Sequence, residues 1–336
     1  MKSVKGEFKN KDFTLAADYH SNLHSSWYAC TFAKEQYIAI NGERKGQNPR
    51  KYFISIRTTK EFKEVGLREA HSYWIYRIIH LPIRNLLITC SADQKIKIWK
   101  ATINMEPVKT LHCSQWVRSL AVDSSERLLF SAGDHTGIYV WNLNTGRRIR
   151  CMPTDKHIGH TSMKYIPKYH LLAVGCTGSG CIWIFDVETY KMIHKLEAHA
   201  VRKAIWAMEY EPAFSLLFTG SSDGFVKIWK IDDKNSIKLQ SVLPVAGGFV
   251  GQIVSIPEYQ LIASTHSTND VKFWDVFTGE SKGSVETNLQ KTWVLHPVRS
   301  LGRLFCFDHA SDEVVVIHDQ KQVQNIVARN AKCEIF

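Results

Sequence analysis

The sequence predicts an all-β protein in which one unit of four short strands is repeated seven times. Large side chains, most of them aromatic, recur at Trp99, Trp141, Phe185, Trp229, Trp274 and His318. Successive members of this series are 42, 44, 44, 45 and 44 residues apart. Ile56 lies 43 residues before Trp99, inside another strand-like run, and marks the seventh copy. A fixed period in the forties is typical of a single supersecondary unit copied along the chain.

The best-preserved copy, residues 216–229, predicts a β-hairpin. An apolar run ends at the turn Ser222-Asp223-Gly224, and a second run then alternates apolar and polar residues. Asp-Gly tolerates the positive φ that a tight turn needs, so this pattern indicates two antiparallel strands. Strand-like runs also precede and follow the hairpins, as at 116–122 and 192–196. Each copy therefore predicts one small sheet of four strands.

These residues resemble the WD40-repeat family. Trp274-Asp275 is the dipeptide that names the family, Phe185-Asp186 is a degenerate copy of it, and Gly159-His160 matches its glycine–histidine pair. The similarity extends from about Phe13 to His318. The resemblance implies a seven-bladed β-propeller with four-stranded antiparallel blades, closed so that only short edges remain. The third strands of the blades should then end near residues 56, 99, 141, 185, 229, 274 and 318.

The expected domain organisation is one propeller at residues 12–319, between an N-terminal tail at 1–11 and a C-terminal segment at 320–336. Two segments compete to supply the fourth strand of the last blade. Residues 12–20 look like a fourth strand followed by a loop histidine, and we favour this segment. Residues 322–327 are the rival, in which case the C-terminal segment would close the ring.

The resemblance also implies a buried polar network in two repeats. Its members are His71, Thr89, Asp93 and Trp99 in one repeat, and His199, Thr219, Asp223 and Trp229 in the other. A buried imidazole must have both of its nitrogens satisfied. An aspartate in the turn and a strand hydroxyl that also meets an indole N–H can do this.

The other repeats depart from this pattern. The third offers His112, Ser131 and Trp141, with Asp134 one residue out of register. The fourth, sixth and seventh repeats depart further, so we expect apolar packing to hold those blades together. On this basis, replacing Asp308 in the seventh repeat should have little effect on stability.

Charge and cysteine content bear on the partners of the protein and on its cellular compartment. A net charge of +11 permits long-range attraction to acidic partners. The eight cysteines occur singly, which favours a reducing compartment and a cytoplasmic location, with the nucleus as the alternative. No apolar run approaches the roughly 18 residues that a membrane-spanning helix needs. The first residues also lack the apolar stretch of a signal peptide.

The segment Glu43–Lys51 is a candidate partner-binding loop. Its basic residues are Arg44, Lys45, Arg50 and Lys51. It interrupts the first repeat between the second and third strands, where other repeats carry the network aspartate. We therefore expect it on the narrow face, where WD40 proteins commonly bind peptides. A merely solvated loop is the alternative interpretation.

Trp74 and Trp116 are candidate partner-binding residues on the same face. Each lies near the start of an inner strand, shortly after a loop histidine position. Aromatic side chains in such places often anchor interfaces. Packing against neighbouring blades is the competing explanation.

No pattern in the sequence predicts catalysis, a cofactor or a metal site. The scattered residues Cys151, His157, His160, Cys176 and Cys181 lack the paired spacing of a zinc site. The glycine-rich run 175–180 joins two strands rather than opening a helix. Residues 308–312 contain triad residue types, but adjacency in a turn supplies neither convergence nor an oxyanion hole.

The expected function is a non-catalytic scaffold that binds one or more proteins, including partners with acidic segments. We expect a monomeric propeller within a larger assembly. This expectation rests on family analogy, because propellers host many functions. One alternative is a nucleic-acid-associated propeller in a ribonucleoprotein, motivated by the net charge. Another is a phosphoinositide-binding propeller, for which the pair Arg147-Arg148 is the candidate site.

Overall fold

The computed structural model confirms the all-β, seven-bladed fold. It describes residues 13–21, 23, 28–44, 51–134, 137–154, 159–245, 248–287, 289–308 and 311–319. Side chains are described in these ranges except at 13–18, 20, 160, 161 and 319. Within them lie 28 β-strands, grouped into seven four-stranded antiparallel sheets. Each sheet is one blade.

The first three blades follow the chain order of their strands. Blade 1 contains β2 (Ala29–Phe32), β3 (Tyr37–Glu43), β4 (Tyr52–Thr58) and β5 (Glu64–His71). Blade 2 contains β6 (Ile75–Leu81), β7 (Leu86–Ser91), β8 (Lys95–Lys100) and β9 (Pro107–His112). Blade 3 contains β10 (Val117–Val122), β11 (Leu128–Gly133), β12 (Gly137–Asn142) and β13 (Arg147–Pro153).

Blades 4 to 6 repeat this order, whereas blade 7 takes its last strand from the start of the chain. Blade 4 contains β14 (His160–Ile166), β15 (Leu171–Cys176), β16 (Cys181–Asp186) and β17 (Lys191–Glu197). Blade 5 contains β18 (Ile205–Glu211), β19 (Leu216–Ser221), β20 (Phe225–Asp233) and β21 (Ser236–Pro244). Blade 6 contains β22 (Val250–Ile256), β23 (Leu261–His266), β24 (Asp270–Asp275) and β25 (Ser281–Glu286). Blade 7 contains β26 (Thr292–Val298), β27 (Arg303–Asp308), β28 (Glu313–Asp319) and β1 (Phe13–His20).

The apolar core lies between the blades. Among the described residues, seven apolar clusters form, and each joins two neighbouring blades. Middle strands are buried on both faces, as in β15 and β16, where every residue is buried. This explains why their sequences are nearly continuous apolar runs rather than alternating ones.

The ring is closed by β1, which pairs antiparallel with β28. The pairing runs from Phe13 opposite Asp319 to His20 opposite Glu313. The backbone N–H of Ser21 then donates to the carbonyl of Asp312 at 2.7 Å. The rival segment, residues 322–327, lies outside the described residues.

The antiparallel order of the strands defines two faces of the ring. Connections between blades and turns between second and third strands lie on one face, which is the narrow face of the sequence analysis. The first strands of neighbouring blades contact one another around a central axis. They line a cavity of about 340 Å³. Within the described ranges, no helical segment has the length and apolar character needed to cross a membrane.

Deletion of residues 1–20 should destabilise the ring. The deletion removes β1 and leaves the edge of β28 unpaired, and an unpaired strand edge promotes association with other chains. We expect a lower thermal midpoint and early-eluting aggregates in size-exclusion chromatography. The control is deletion of residues 322–336, which removes no strand that the structure describes. A monomeric 1–20 deletion with an unchanged midpoint would show that β1 is dispensable for closure.

Candidate functional site

The first of the two expected polar networks lies between blades 1 and 2. His71 Nδ1 is 2.9 Å from a carboxylate oxygen of Asp93, and His71 Nε2 is 2.8 Å from Thr89 Oγ1. Trp99 Nε1 donates to Thr89 Oγ1 at 3.0 Å. With the proton on Nδ1, the imidazole donates to the carboxylate and accepts from the hydroxyl, so both nitrogens are satisfied. Burial lowers the pKa of His71, although Asp93 opposes this effect.

The second network joins blades 4 and 5 with the same geometry. His199 Nδ1 is 3.0 Å from Asp223, and His199 Nε2 is 2.9 Å from Thr219 Oγ1. Trp229 Nε1 donates to that hydroxyl oxygen at 3.0 Å. Burial raises the pKa of the Asp223 carboxyl. The hydrogen bonds from His199 and from the backbone N–H of Ala200 outweigh burial and lower that pKa to about 2.

The first network also fixes the backbone of residues 72–74 on the narrow face. Asp93 accepts a hydrogen bond from the backbone N–H of Ser72 at 3.2 Å. Ser91 Oγ donates to the carbonyl of Tyr73 at 2.9 Å, and the N–H of Ala92 donates to the carbonyl of Trp74 at 2.9 Å. The turn between β7 and β8 therefore holds the two aromatic residues in place.

Four aromatic side chains form a group on the narrow face that we call the tyrosine–tryptophan cluster: Tyr52, Tyr73, Trp74 and Trp116. The ring of Tyr73 lies 5.3 Å from Trp74, 6.0 Å from Trp116 and 6.1 Å from Tyr52, measured between ring centroids. Tyr73 is 43% exposed, whereas Trp74 and Trp116 are half-buried. The structure therefore brings the two predicted tryptophans together around a tyrosine that the sequence analysis did not select.

An arginine and a glycine position Trp116. The guanidinium of Arg118 lies 5.4 Å from the Trp116 ring centroid and is bound by Asp134 at 2.8 Å and 3.3 Å. A Cβ on Gly133 would lie 2.0 Å from the carbonyl oxygen of Trp116. Only glycine fits at this close approach, because the nearest atom is backbone and has no freedom to swing away.

Blade 3 does not contain the network expected from its sequence. Trp141 Nε1 donates to Ser131 Oγ at 2.8 Å, but His112 is exposed at the end of β9. Asp134 instead binds Arg118. The one-residue displacement of Asp134 redirects its carboxylate from the histidine position to the arginine of the first strand.

Blade 6 contains a histidine contact that the sequence analysis missed. Trp274 Nε1 donates to Ser264 Oγ at 2.9 Å, and His266 Nε2 lies 3.0 Å from the same oxygen. His266 belongs to the same strand as Ser264. Ser264 and His266 are two positions apart in the sequence, and this spacing places both side chains on one face of a strand.

The contacts of Asp308 argue against the expectation that its replacement has little effect on stability. Asp308 is only 1% exposed and accepts hydrogen bonds from the backbone N–H groups of Gln290 and Lys291 at 3.1 Å and 3.2 Å. Ser311 Oγ donates to the same carboxylate at 3.0 Å. Asp308 thus fixes the connection into blade 7, even though this blade lacks an anchor tryptophan.

The predicted basic loop is anchored at both described ends. Arg44 lies 3.5 Å from Glu64, and Lys51 Nζ lies 2.7 Å from Glu69. Both carboxylates belong to β5, the outer strand of blade 1. Lys45 and Arg50 lie outside the described residues.

The residues first considered as metal ligands are not grouped in the described part of the chain. No group of three or more His, Cys, Asp or Glu side chains in these ranges is placed to hold a metal ion. Cys176 and Cys181 are buried, Cys151 is exposed, and His157 lies outside the described ranges. Burial also raises the pKa of the Cys30, Cys90 and Cys306 thiols, which disfavours the reactive thiolate.

The central cavity is lined by both polar and apolar groups. Arg77 lies over the ring of Tyr28 at 4.1 Å, and Lys164 pairs with Glu209 at 2.7 Å. Trp206 also lines the cavity and contacts Trp293, with ring centroids 6.1 Å apart. This places Trp206 at the cavity, separate from the tyrosine–tryptophan cluster.

Comparison with known proteins agrees with this architecture. The family model described as "WD domain, G-beta repeat" matches residues 62–100, 105–142 and 190–230. The human apoptotic protease-activating factor 1 is 24% identical over 272 residues, which cover 77% of this chain and 20% of that protein. The SEC13 homolog of Drosophila melanogaster is 25% identical over 229 residues, 60% of this chain and 64% of that protein. The RACK1y small ribosomal subunit protein of Oryza sativa is 23% identical over 171 residues, 49% of this chain and 50% of that protein.

The first matched segment begins before β5 and ends with β8, so it combines the outer strand of one blade with three strands of the next. Because each sequence repeat begins with the outer strand of the preceding blade, the first repeat of the chain begins with the outer strand of blade 7. That strand is β1. Seven closed four-stranded blades define a repeat protein of the propeller class. Within that class, three segments of the chain, about a third of its length, are WD40 repeats.

Replacing either buried aspartate should destabilise the protein. Asp223→Ala leaves the buried N–H of His199 without an acceptor, which costs about 1–3 kcal/mol, and Asp308→Ala removes the acceptor of two part-buried backbone N–H groups. We expect both variants to unfold at lower denaturant concentration than the wild type. The control is Glu61→Ala, since Glu61 is exposed. An Asp308→Ala midpoint equal to that of the control would restore the view that blade 7 does not depend on this carboxylate.

His266 should make stability depend on pH. Burial lowers its pKa from 6.5 to about 4 in the folded protein. Between these values the unfolded chain holds the proton and the folded chain does not, so stability falls as pH drops from 6.5 towards 4. His266→Gln should reduce the slope of the unfolding free energy against pH by about 1.4 kcal/mol per pH unit in that window. Equal slopes for the wild type and His266→Gln would contradict the assignment.

Proposed function

We propose that this chain is a non-catalytic scaffold that binds one or more proteins through its narrow face, within a larger intracellular assembly in the cytoplasm or nucleus. The observation that carries the proposal is the tyrosine–tryptophan cluster. Tyr73 is exposed and its backbone is fixed by Ser91, and by Asp93 through Ser72, so little conformational entropy is lost when a partner binds. Trp74 and Trp116 supply apolar area around it, as interface anchors do.

The basic loop extends this proposed surface. Arg44 and Lys51 form ion pairs whose partners are partly exposed, and such pairs contribute little to stability. Acidic residues of a partner can therefore replace Glu64 and Glu69 as ion-pair partners of these cations with little loss of folding free energy. Lys45 and Arg50 add two further positive charges to the same segment. We assign all four residues to the binding of an acidic stretch of the partner.

The relatives support a binding module rather than a shared activity. Their names describe a protease-activating factor, a SEC13 homolog and a ribosomal subunit protein. This chain matches only part of the length of each of these proteins, so the activity of any one of them does not transfer to this chain. What they have in common with it is the WD40 region.

A nucleic-acid-associated propeller is the second candidate. The net charge of +11 favours it, because basic surfaces attract the phosphate backbone. A further relative, the U3 small nucleolar RNA-associated protein 4 of Schizosaccharomyces pombe, is 27% identical over 207 residues, 58% of this chain and 28% of that protein. Under this hypothesis, partners would be held through RNA rather than directly.

Replacing Tyr73 should weaken capture of the protein partners. The experiment is affinity capture of the full chain from cell extract, with quantitative mass spectrometry and with or without nuclease. Tyr73→Ala removes an exposed ring from the tyrosine–tryptophan cluster without touching the buried network. We expect partner recovery to fall about tenfold, the scale of loss for a single interface anchor.

The matched control is Phe277→Ala, an aromatic residue of similar exposure (48%) in the turn after β24, on the opposite face. It should recover the same partners as the wild type.

Replacing the four loop cations by alanine should weaken capture most at low salt, where charges are least screened. Equal recovery by wild type and Tyr73→Ala would contradict the narrow-face proposal. Loss of the partners on nuclease treatment would favour the second candidate.

A further inference from the structure

The outer strand of blade 3, β13, differs from the other described outer strands in its charge. It carries Arg147, Arg148 and Arg150 and no acidic residue. No carboxylate of the described residues lies within ion-pair distance of any of the three. In blades 5 and 6, by contrast, Lys238 pairs with Asp232 at 3.5 Å, and Lys282 pairs with Glu280 at 3.2 Å.

Two of these arginines are held in defined positions by aromatic rings. The guanidinium of Arg148 lies 4.5 Å from the centroid of Tyr139, and that of Arg150 lies 5.4 Å from the centroid of Tyr190. A guanidinium over a ring face still presents its N–H groups at its edges. Such a preorganised fork matches a carboxylate, which it can bind through two parallel hydrogen bonds.

The surroundings of β13 extend the positive charge and add apolar surface. The neighbouring outer strands contribute Lys109 from β9 and, from β17, Lys191 and Lys195 against one glutamate, Glu197. Exposed apolar side chains lie on the same three strands, namely Val108 (51%), Ile149 (45%) and Met192 (47%). The outer rim of blades 2 to 4 is therefore basic and partly apolar.

The backbone of β13 has an open edge. It is the last strand of its sheet, and no strand in the described part of the chain pairs with its outer side. Such an edge presents unpaired N–H and C=O groups, which an extended peptide can satisfy by adding as a further strand.

We propose that β13 is an interaction surface for an extended, acidic segment of a partner protein, which adds to blade 3 as a fifth strand. A β-bulge in the pairing with β12 turns Arg148 towards blade 2 and Arg150 towards blade 4. Successive side chains of such a segment, which point to opposite faces, would place carboxylates on both arginines while its backbone pairs with the strand edge. Charge complementarity supports a separate partner over this chain's own ends, since residues 1–12 and 320–336 are both more basic than acidic.

An extended peptide fits this surface better than a membrane or a nucleic acid does. Anionic lipid headgroups would attract the arginines, but they would not form a regular ladder with the open backbone edge. A phosphate backbone would be attracted by the arginines but would leave Ile149, Val108 and Met192 without apolar partners. The surface lies on the outer rim, so this inference does not depend on the narrow-face proposal.

The test uses a fluorescent peptide of repeated Glu-Glu-Val-Val units, which places carboxylates on both faces of a strand, titrated with the full chain and followed by anisotropy. The variant Arg147→Glu/Arg148→Glu/Arg150→Glu should bind the peptide at least about tenfold more weakly than the wild type, as expected when several close charge pairs are removed. The control Arg68→Glu/Lys238→Glu/Lys282→Glu makes the same change in net charge on other outer strands. It should bind the peptide as the wild type does. Thermal unfolding of both variants establishes that each is folded.

Two further measurements test strand addition itself. The same peptide with alternate backbone nitrogens methylated cannot complete a ladder and should bind at least about tenfold more weakly. On wild type, the unmethylated peptide should slow hydrogen exchange at the amides of β13, a readout that does not depend on any variant.

Several results would overturn the proposal. These are failure of the wild type to bind the peptide, equal loss in both charge variants, equal binding of the methylated peptide, or unchanged exchange at β13. Single-stranded RNA or phosphatidylserine vesicles that bind more tightly than the peptide, and are lost in the arginine variant, would assign the surface to nucleic acid or to a membrane instead.

Discussion

Closure of the ring is the constraint on which the rest of the structure depends. No blade has a core of its own, because every apolar cluster of the described residues lies between two blades. Blade 7 is therefore buried on both sides only while β1 pairs with β28. Loss of that pairing would weaken the clusters that contain Leu295 and Phe305, and through them the contacts to blades 6 and 1.

The polar networks meet a second constraint, which is that a buried indole N–H needs an acceptor. In four blades, a hydroxyl on the second strand accepts from the anchor tryptophan: Thr89, Ser131, Thr219 and Ser264. The partner of that hydroxyl varies more than the hydroxyl itself. It is a loop histidine in two blades, and His266 from the strand itself in blade 6. The networks with a loop histidine also fix the connections on the narrow face, so stability and the candidate site share the same residues.

Spacing in the sequence predicts the blades because the anchor residue recurs at the same point of each hairpin, where the second and third strands pair. Side-chain partners are harder to predict, because they depend on contacts between segments that are distant in sequence. The contacts of Asp308 were not foreseen, because the N–H groups that donate to it lie some 18 residues earlier, in the connection into blade 7. Arg44 and Lys51 were recognised as charges, but Glu64 and Glu69 become their neighbours only through the pairing of β4 with β5. Tyr73 was missed because its position depends on the turn of the next hairpin.

The two proposed surfaces lie in different parts of each blade, and this separation follows from the fold. The tyrosine–tryptophan cluster is built on connections that enter the first strands, near the axis of the ring. The arginines of β13 lie on a fourth strand, at the outer rim. First strands contact their counterparts in neighbouring blades, whereas a fourth strand has one side turned away from its own sheet. A partner bound at the rim would leave the narrow face accessible, which is the geometric requirement for one propeller to hold two proteins at once.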